Sequence, residues 1–553
     1  MSLNVATAIA RILKQEGTQW VSTFPVCRVN NALGREGVPM IMMRDDRYAI
    51  ALADAFSRVT AGERIGVCTV QGGVNAAGLQ VAYAGLAQAY EDGSPMLCIT
   101  DGVPQGQSEH SQFDLATSLR SVSKWYGYID RAERVPEFMR RAFTMLRSGR
   151  PGPVVLAVPD ASAEFDETRD PYLPVKGWKT LPDPDDVGLA IDLLLGARNP
   201  VLYVGEGAVY ARAASELLEF AELAGAPVVC TLKAKGVFPD THPLALGVRG
   251  EQVSQYLTDA DMIFAIGSSL SPGRFSHAIP EPHNKTIVSC INDELHINRI
   301  YPTRQAVLGD VRHTLQALSL SLREKTGGNG RKAEGVRDRI RDTLDQAMTK
   351  YREAMNSQDK PINPYRVYKG LMEVLDPRNS FVTHESGNTR DQLSTVYPAV
   401  VPRAFLGWGN VSTLGFSLPA AMAARLADPA RPAIAVSGDA GVGYMMGNLE
   451  VLVRERIGIT VVHVSNGGFA GYGPGFWGAG HDPYTHQVTG YEQIDMSRAV
   501  GELGLHTQRI DTPDQIEPAL RNALAANAEG KPAFIEFICS QYPVYGQWLG
   551  RGG

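Results

Sequence analysis

Short, unbroken runs of aliphatic and β-branched residues recur along this chain, and segments with helical spacing separate them. Strands of a parallel sheet have this continuous apolar character because both faces of the sheet are covered. The runs lie at residues 39–43, 65–70, 96–100, 154–158, 201–208, 227–232, 262–270, 433–436 and 459–464. This alternation predicts an α/β protein built on doubly wound parallel sheets.

Changes in composition divide the pattern into three blocks. We expect α/β domains at residues 1–165, 186–322 and 361–545, with a short tail at 546–553. A stretch rich in Pro and Asp joins the first two domains. A polar segment rich in Lys and Arg, 323–360, is predicted to be a linker with a solvated helix after its glycines.

Composition excludes several classes of protein. The chain has 553 residues and a net charge of −6, without a basic block, so we expect no nucleic-acid partner. Its six cysteines are scattered without a CxxC pair, which favours free thiols in a reducing compartment. No apolar run reaches the ~18 residues of a membrane span, and the N-terminus lacks a signal-peptide pattern. We therefore expect a cytoplasmic protein with no membrane partner.

Two polar residues follow neighbouring predicted strands. Asp439 ends the first run and Asn466 ends the second, 27 positions later. Between them the spacing predicts a crossover helix that begins near Tyr444. In open α/β sheets ligands bind at the carboxyl ends of the strands, and carboxylate, amide and carbonyl oxygens suit Mg²⁺. Alternatively, the aspartate caps a helix and the Asn-Gly pair forms a turn.

The motif GDAG followed by NGG resembles the thiamine-diphosphate motif of the acetolactate-synthase-like enzymes. That superfamily includes acetolactate synthase, benzoylformate decarboxylase, oxalyl-CoA decarboxylase and 2-hydroxyacyl-CoA lyase. GRPGPVVLAVPD (149–160), TLKAKGVFPDTHPLALGVRG (231–250) and NVSTLGFSLPAAMAARLADP (410–429) resemble further family segments in the same order. The resemblance implies that the three domains are pyrimidine-binding, central and diphosphate-binding, in that order.

The resemblance also implies ligands for the cofactor and its metal. Mg²⁺ would be held by Asp439, Asn466 and the carbonyl of Gly468. Contacts to the diphosphate and thiazolium would come from Asn388, Thr389, Gly438, Ala440, Gly441, Gly468 and Leu414. Leu414 corresponds to the bulky side chain under the thiazolium, and the carbonyl of Ser412 would accept from the pyrimidine amino group.

In most of the family, a glutamate of the first domain hydrogen-bonds the pyrimidine. The matching segment here is RDDRYA (44–49), so that Asp46 replaces the glutamate with a shorter carboxylate. Alternatively, RDDR is a surface charge cluster and the alignment is off by one, so that Asp45 is the relevant residue.

Several loops of the first domain depart from the family. The segment SEHSQFD (108–114) makes His110 and Gln112 candidates for proton transfer or substrate orientation. His110 is equally well explained as a surface residue. His481 and His486, in a loop rich in glycine and aromatic residues, are weaker candidates, and the aromatic tail could cover the site or pack at a subunit contact.

The central block contains GEGA (205–208), a short GxG that lacks the complete dinucleotide fingerprint. We expect no flavin there, although the motif leaves FAD or a CoA-type nucleotide open.

The resemblance implies cleavage or formation of a C–C bond next to a carbonyl of a small 2-oxo acid or 2-hydroxyacyl substrate. It leans toward the oxalyl-CoA decarboxylase and 2-hydroxyacyl-CoA lyase branch. Acetolactate-synthase-like carboligation is one alternative, and a cofactor-binding paralogue with weak catalysis is another. The family also implies a homodimer at minimum, with a homotetramer expected, in which Asp46 serves the cofactor held by the partner's Asp439.

Overall fold

A computed structural model describes residues 3–107, 112–272, 276–468 and 494–541. The chain forms two compact units. The first comprises Met1–Trp178, Gly409–Pro429 and Met445–Ile457, and the second comprises Lys179–Trp408, Ala430–Tyr444 and Gly458–Gly553. Elements are numbered below in chain order.

The first unit contains a six-stranded sheet. Its strands are β1 (Val21–Thr23), β2 (Met40–Met42), β3 (Val67–Val70), β4 (Leu97–Asp101), β5 (Trp125–Tyr128) and β6 (Val154–Val158). They lie in the order 2-1-3-4-6-5, and every neighbouring pair is parallel. The helices are α1 (Val5–Gln15), α2 (Asn30–Arg35), α3 (Asp46–Val59), α4 (Ala77–Glu91), α5 (Leu115–Arg120), α6 (Val135–Arg147) and, from later in the chain, α15 (Ser417–Ala427).

Helix α1 shows how the apolar pattern builds this unit. Val5, Ile9, Ile12 and Leu13 recur at helical spacing and are all buried in one core cluster with the sheet. Asn4 caps the helix by accepting a hydrogen bond from the backbone N–H of Thr7. Helix α3 is buried along nearly its whole length because α15 packs against it within the same unit.

The second unit contains two six-stranded parallel sheets. The first has β7 (Pro200–Val204), β8 (Val228–Cys230), β9 (Ala245–Gly247), β10 (Met262–Ile266), β11 (Thr286–Ile291) and β12 (Gln305–Leu308). Counted within this sheet, the strand order is 3-2-1-4-5-6, the order of a dinucleotide-binding fold. The associated helices are α7 (Pro184–Gly196), α8 (Gly207–Tyr210), α9 (Ala214–Ala224), α10 (Glu251–Asp259), α11 (Val311–Thr326) and α12 (Val336–Met355).

The last sheet has β13 (Phe381–His384), β14 (Phe405–Leu406), β15 (Ala433–Gly438), β16 (Thr460–Ser465), β17 (His506–Ile510) and β18 (Ala533–Ile538). Its order, 2-1-3-4-6-5 within the sheet, repeats that of the first sheet. The helices are α13 (Pro364–Val374), α14 (Asn388–Val396), α16 (Asp439–Arg454), α17 (Met496–Gly501) and α18 (Ile516–Ala528). The division between the units falls within α16, whose residues from Met445 onward belong to the first unit. Strand order reverses between β13 and β15, and such a switch point opens a crevice at the carboxyl ends of the strands.

The predicted fold class is confirmed: each predicted apolar run overlaps a strand of a doubly wound parallel sheet. The predicted start of the crossover helix was wrong. Helix α16 begins at Asp439 rather than near Tyr444, because the glycine-rich stretch after β15 is itself helical. All six cysteines are buried free thiols. Among the described residues, no helix is both long enough and apolar enough to cross a membrane.

Candidate functional site

In the second unit, a carboxylate lies at the switch point of the last sheet. Strand β15 ends at Gly438, and helix α16 begins with the next residue, Asp439. Glu385 follows the neighbouring strand β13 and is fully buried. Two strand ends and one helix N-terminus therefore converge, as expected for a site that binds an anionic ligand.

Asp439 is bonded to the loop after strand β16. Its Oδ2 accepts hydrogen bonds from the backbone N–H of Asn466 at 3.2 Å and of Gly468 at 3.0 Å. Its Oδ1 lies 2.9 Å from Nε2 of His463. Burial alone would raise the pKa of Asp439, but the contact with His463 and the two backbone N–H groups hold it below its usual range. Asp439 is therefore ionised near neutral pH.

The three predicted metal ligands are thus adjacent. Asp439, Asn466 and Gly468 could supply carboxylate, amide and carbonyl oxygens, a donor set that suits Mg²⁺. Among the described residues, no group of three or more His, Cys, Asp or Glu side chains could hold a metal. A site with one carboxylate still needs oxygen ligands from elsewhere, and Mg²⁺ commonly takes these from phosphate.

The first turn of α16 fits a diphosphate. Ala440 and Gly441 lie within this turn, where backbone N–H groups have no partner in the helix. A Cβ atom on Gly441 would overlap Cγ of Glu385 and Oγ of Ser437. Glycine is therefore required for the helix start to lie against the end of β13.

Asn388 and Thr389 begin helix α14, directly after the loop that follows β13. Thr389 is buried, and its hydroxyl donates to the carbonyl of Glu385 at 3.2 Å. Its methyl group lies 4.0 Å from the position of a Cβ on Gly438. The helix starts that carry these predicted diphosphate contacts therefore meet at the switch point.

In the first unit, Asp46 is the first residue of helix α3 and is 6 % exposed. Its Oδ1 is buried and has no hydrogen-bond partner among the described residues. Burial raises the pKa of this carboxyl above its usual value, and the backbone N–H of Gln71 opposes that shift. A buried carboxyl oxygen in this state is available to form a hydrogen bond with a ligand.

The neighbouring carboxylate has a different role. Oδ1 of Asp45 accepts from the backbone N–H of Tyr48 at 2.9 Å and caps helix α3. Its Oδ2 accepts from the side chain of Asn448 at 3.3 Å. Because Asp45 is engaged in the fold, the geometry favours Asp46 over Asp45 as the residue that meets a ligand.

Leu414 and Ser412 belong to the same unit as Asp46. Arg47 donates from Nη2 to the carbonyl of Leu414 at 3.2 Å, which ties the start of α3 to this segment. Ser412 has a φ of 65°, a left-handed conformation that is uncommon outside glycine. Such conformations concentrate at functional sites, where the surrounding contacts compensate for their cost.

Of the remaining candidates the structure describes Gln112, which is exposed. His110, His481, His486 and the aromatic tail lie outside the described residues. In the GEGA turn, a Cβ on Gly205 would stand 2.6 Å from Cα of Ser268, so close packing explains this glycine without a nucleotide.

Two residues that contact the site were not among the residues predicted from the sequence. His463 contacts Asp439 from strand β16, and Arg47 contacts the Leu414 carbonyl. A signal for His463 was present, because it is the one imidazole in the aliphatic strand that leads to Asn466. No pattern in the sequence distinguishes Arg47 from a surface arginine.

Comparison with known proteins gives matches along most of the chain. The N-terminal TPP-binding, central and C-terminal TPP-binding domains of thiamine pyrophosphate enzymes match residues 3–119, 187–318 and 385–537. A probable acetolactate synthase large subunit of Methanocaldococcus jannaschii is 29% identical, over 96% of this chain and 91% of the relative. A glyoxylate carboligase of Escherichia coli O157:H7 is 28% identical, over 97% and 93%. An oxalyl-CoA decarboxylase of Escherichia coli is 26% identical, over 93% and 90%.

The order of the matched domains is that of the three sheets. The resemblance drawn from GDAG and NGG therefore holds over the chain as a whole. The chain belongs to the thiamine-pyrophosphate-dependent enzymes of the acetolactate-synthase-like, decarboxylase and carboligase type.

Proposed function

We propose that this enzyme binds thiamine diphosphate with Mg²⁺ and cleaves or forms a C–C bond next to a carbonyl. The substrate would be a 2-oxo acid or a 2-hydroxyacyl compound. The observation that carries the proposal is the position of Asp439, which follows a strand at the switch point, begins a helix and is bonded to the Asn466–Gly468 loop.

The residues of the second unit would hold the charged end of the cofactor. Asp439 and Asn466 would bind the cation through side-chain oxygens, and Gly468 through its carbonyl. The N–H groups of Ala440 and Gly441 would donate to phosphate oxygens, and the positive end of α16 would favour their charge. Asn388 and Thr389 would add contacts from the start of α14.

The residues of the first unit would act on the aromatic end. When bound, thiamine diphosphate supplies a carbon nucleophile and an electron sink for the bond that changes. Asp46 would hold or release a proton at Oδ1. The raised pKa of this carboxyl would let it exchange that proton with a nitrogen of the bound cofactor. Leu414 would support the ring by packing, and the carbonyl of Ser412 would accept a hydrogen bond.

The relatives widen the choice of substrate. One is named a glyoxylate carboligase and another an oxalyl-CoA decarboxylase. We favour a substrate of the oxalyl-CoA decarboxylase and 2-hydroxyacyl-CoA lyase branch, with acetolactate-synthase-like carboligation as the alternative.

The test has two stages. Calorimetry would first measure whether thiamine diphosphate binds, and whether binding requires Mg²⁺. The loaded enzyme would then receive pyruvate, glyoxylate, benzoylformate, oxalyl-CoA or a 2-hydroxyacyl-CoA, with CO₂ release and products followed by mass spectrometry. Metal-dependent binding with turnover of one substrate is expected. Binding without turnover of any of the five would favour the weakly catalytic paralogue, and binding that ignores Mg²⁺ would contradict the proposed metal site.

A further inference from the structure

A row of polar side chains crosses the buried interior of the last sheet. Ser437 of β15, His463 of β16, Glu536 of β18 and Arg509 of β17 are directly opposite one another in register. Residues opposite each other on neighbouring parallel strands project from the same face of the sheet. The first three are buried, and the imidazole packs 5.6 Å from the ring of Phe534 on that face.

This row meets the proposed metal site at one atom. Nε2 of His463 lies 2.9 Å from Oδ1 of Asp439, and the imidazole is 2% exposed. An ionised carboxylate only accepts hydrogen bonds, so Nε2 must carry the hydrogen and donate. In the neutral ring, Nδ1 then carries the lone pair. Among the described residues, Nδ1 has no hydrogen-bond partner, and neither does Oε1 of Glu536.

The contact with His463 occupies one of the acceptor positions of the Asp439 carboxylate. The two oxygens of a carboxylate offer about four acceptor positions. Oδ2 of Asp439 uses two of them, for the N–H groups of Asn466 and Gly468, and Oδ1 uses one for His463. The position that remains is on Oδ1, the same oxygen that the imidazole holds.

We propose that His463 is a positioning residue for the divalent cation: its Nε2–H would fix the Asp439 carboxylate, whose Oδ1 keeps one lone pair with which it could bind the metal. The inference rests on the proposed function. It adds a residue that lies outside the GDAG and NGG motifs, because His463 belongs to the strand that precedes NGG.

The fold gives a reason for a histidine at this position. The rest of β16 is Thr460, Val461, Val462, Val464 and Ser465, and a buried imidazole among such residues is costly unless it is hydrogen-bonded. A valine would fill the strand but remove the hydrogen bond to Oδ1, so that the carboxylate would be held through Oδ2. Partners that orient a metal ligand typically change metal affinity about 10–100-fold when they are removed.

Two substitutions separate the hydrogen bond from the packing. His463→Gln keeps an amide N–H near the position of Nε2, whereas His463→Met keeps similar volume without a donor. The full-length protein with saturating thiamine diphosphate would be titrated with MgCl₂, and binding followed by tryptophan fluorescence. We expect Mg²⁺ affinity to fall about 10–100-fold in His463→Met and to stay within about 3-fold of wild type in His463→Gln. A further expectation is that excess Mg²⁺ restores kcat in His463→Met, which a general folding defect would not allow.

Asp439→Ala distinguishes failure of this inference from failure of the proposed function. If Asp439→Ala loses Mg²⁺-dependent cofactor binding while His463→Met binds Mg²⁺ like wild type, the positioning role is overturned and the metal site stands. If Asp439→Ala binds metal and cofactor like wild type, the proposed function itself fails.

A second measurement tests the proposal on the wild-type protein, in case His463→Met does not fold. Solid-state ¹⁵N NMR of histidine-labelled wild type, with the His463 signal assigned by its loss in His463→Gln, reports which nitrogen carries the hydrogen. A hydrogen on Nε2 is expected before Mg²⁺ is added. A hydrogen on Nδ1 with a bare Nε2 would overturn the proposal.

Discussion

Gly78 lies so close to Asp46 that a Cβ atom on the glycine would stand 2.5 Å from Oδ1 of the carboxylate. The same Cβ would stand 2.7 Å from Cβ of Gln71. Gly78 is the second residue of helix α4, so its small size leaves room for the carboxylate next to the helix start. Position 78 thus controls where Oδ1 of Asp46 can lie.

We predict that Gly78→Ala lowers kcat about 100-fold or more, because a displaced carboxylate cannot exchange a proton with the cofactor. Mg²⁺-dependent binding, which we assign to residues of the second unit, should change much less. Steady-state kinetics and calorimetry would measure both.

Gly188→Ala is the matched control for this change. Gly188 also lies in a helix, α7, but a Cβ there would meet nothing within 4 Å. Alanine should therefore be neutral or should stabilise the protein by about 0.5–1 kcal/mol. Equal losses of activity in both variants would contradict the role of Gly78.

The raised pKa of Asp46 predicts a pH dependence of stability. Below the ordinary pKa of aspartate, this carboxyl is protonated in both the folded and the unfolded protein. As the pH rises, the unfolded chain releases its proton first, so wild type loses stability until the pH passes the raised folded pKa. Asp46→Asn cannot ionise and avoids this loss.

We therefore expect the melting temperature of Asp46→Asn, minus that of wild type, to increase between about pH 4 and pH 7. The cofactor-free protein would be melted in matched buffers. The same variant should lose about 10²–10⁴-fold in activity, because the amide cannot transfer the proton. A difference in melting temperature that is the same at every pH would show that burial does not raise this pKa.

The two adjacent aspartates should respond in opposite ways. Asp45→Ala removes the cap of helix α3 and should destabilise the protein by about 0.5–2 kcal/mol, with kcat retained in the folded fraction. Asp46→Ala should abolish turnover with a smaller loss of stability: its Oδ1 makes no hydrogen bond among the described residues, although the carboxyl accepts from the backbone N–H of Gln71. Denaturant unfolding would measure the stability of both variants, and steady-state kinetics would measure their turnover. Loss of turnover in Asp45→Ala alone would support the alternative alignment, in which Asp45 is the residue that meets the cofactor.

Two glycines of helix α16 provide a similar comparison at the diphosphate end. A Cβ on Gly441 would overlap Glu385, and even Cδ of that side chain would be only 2.9 Å away. Gly441→Ala should therefore move the helix start and weaken cofactor binding about 10-fold or more, at roughly 1.4 kcal/mol per factor of ten. Gly443→Ala, two residues on and with open space, should bind like wild type. Equal affinities in the two variants would argue against a cofactor at this helix start.

The sequence predicted the sheets well because a strand buried on both faces must be apolar along its length. Such runs can be recognised without knowledge of the tertiary structure. It also predicted that Asp439 and Asn466 would meet, since parallel strands place their carboxyl ends on one edge. The start of α16 was mispredicted because glycines there indicate a loop, whereas packing against Glu385 requires them inside a helix. The contact between His463 and Asp439 depends on strand register, which a pattern of residue types does not specify.

The assembly can be tested by mixing two inactive variants. The family resemblance implies that Asp46 of one subunit serves a cofactor held by Asp439 of the other. In a heterodimer of Asp46→Ala and Asp439→Ala subunits, one site would then carry both substitutions and the other neither. We expect such heterodimers, purified through two different affinity tags, to recover about half the activity of wild type.

Within the first unit, however, Arg47 contacts Leu414 of its own chain. If each chain builds its own site, every site in the heterodimer carries one substitution and activity stays at the level of the parents.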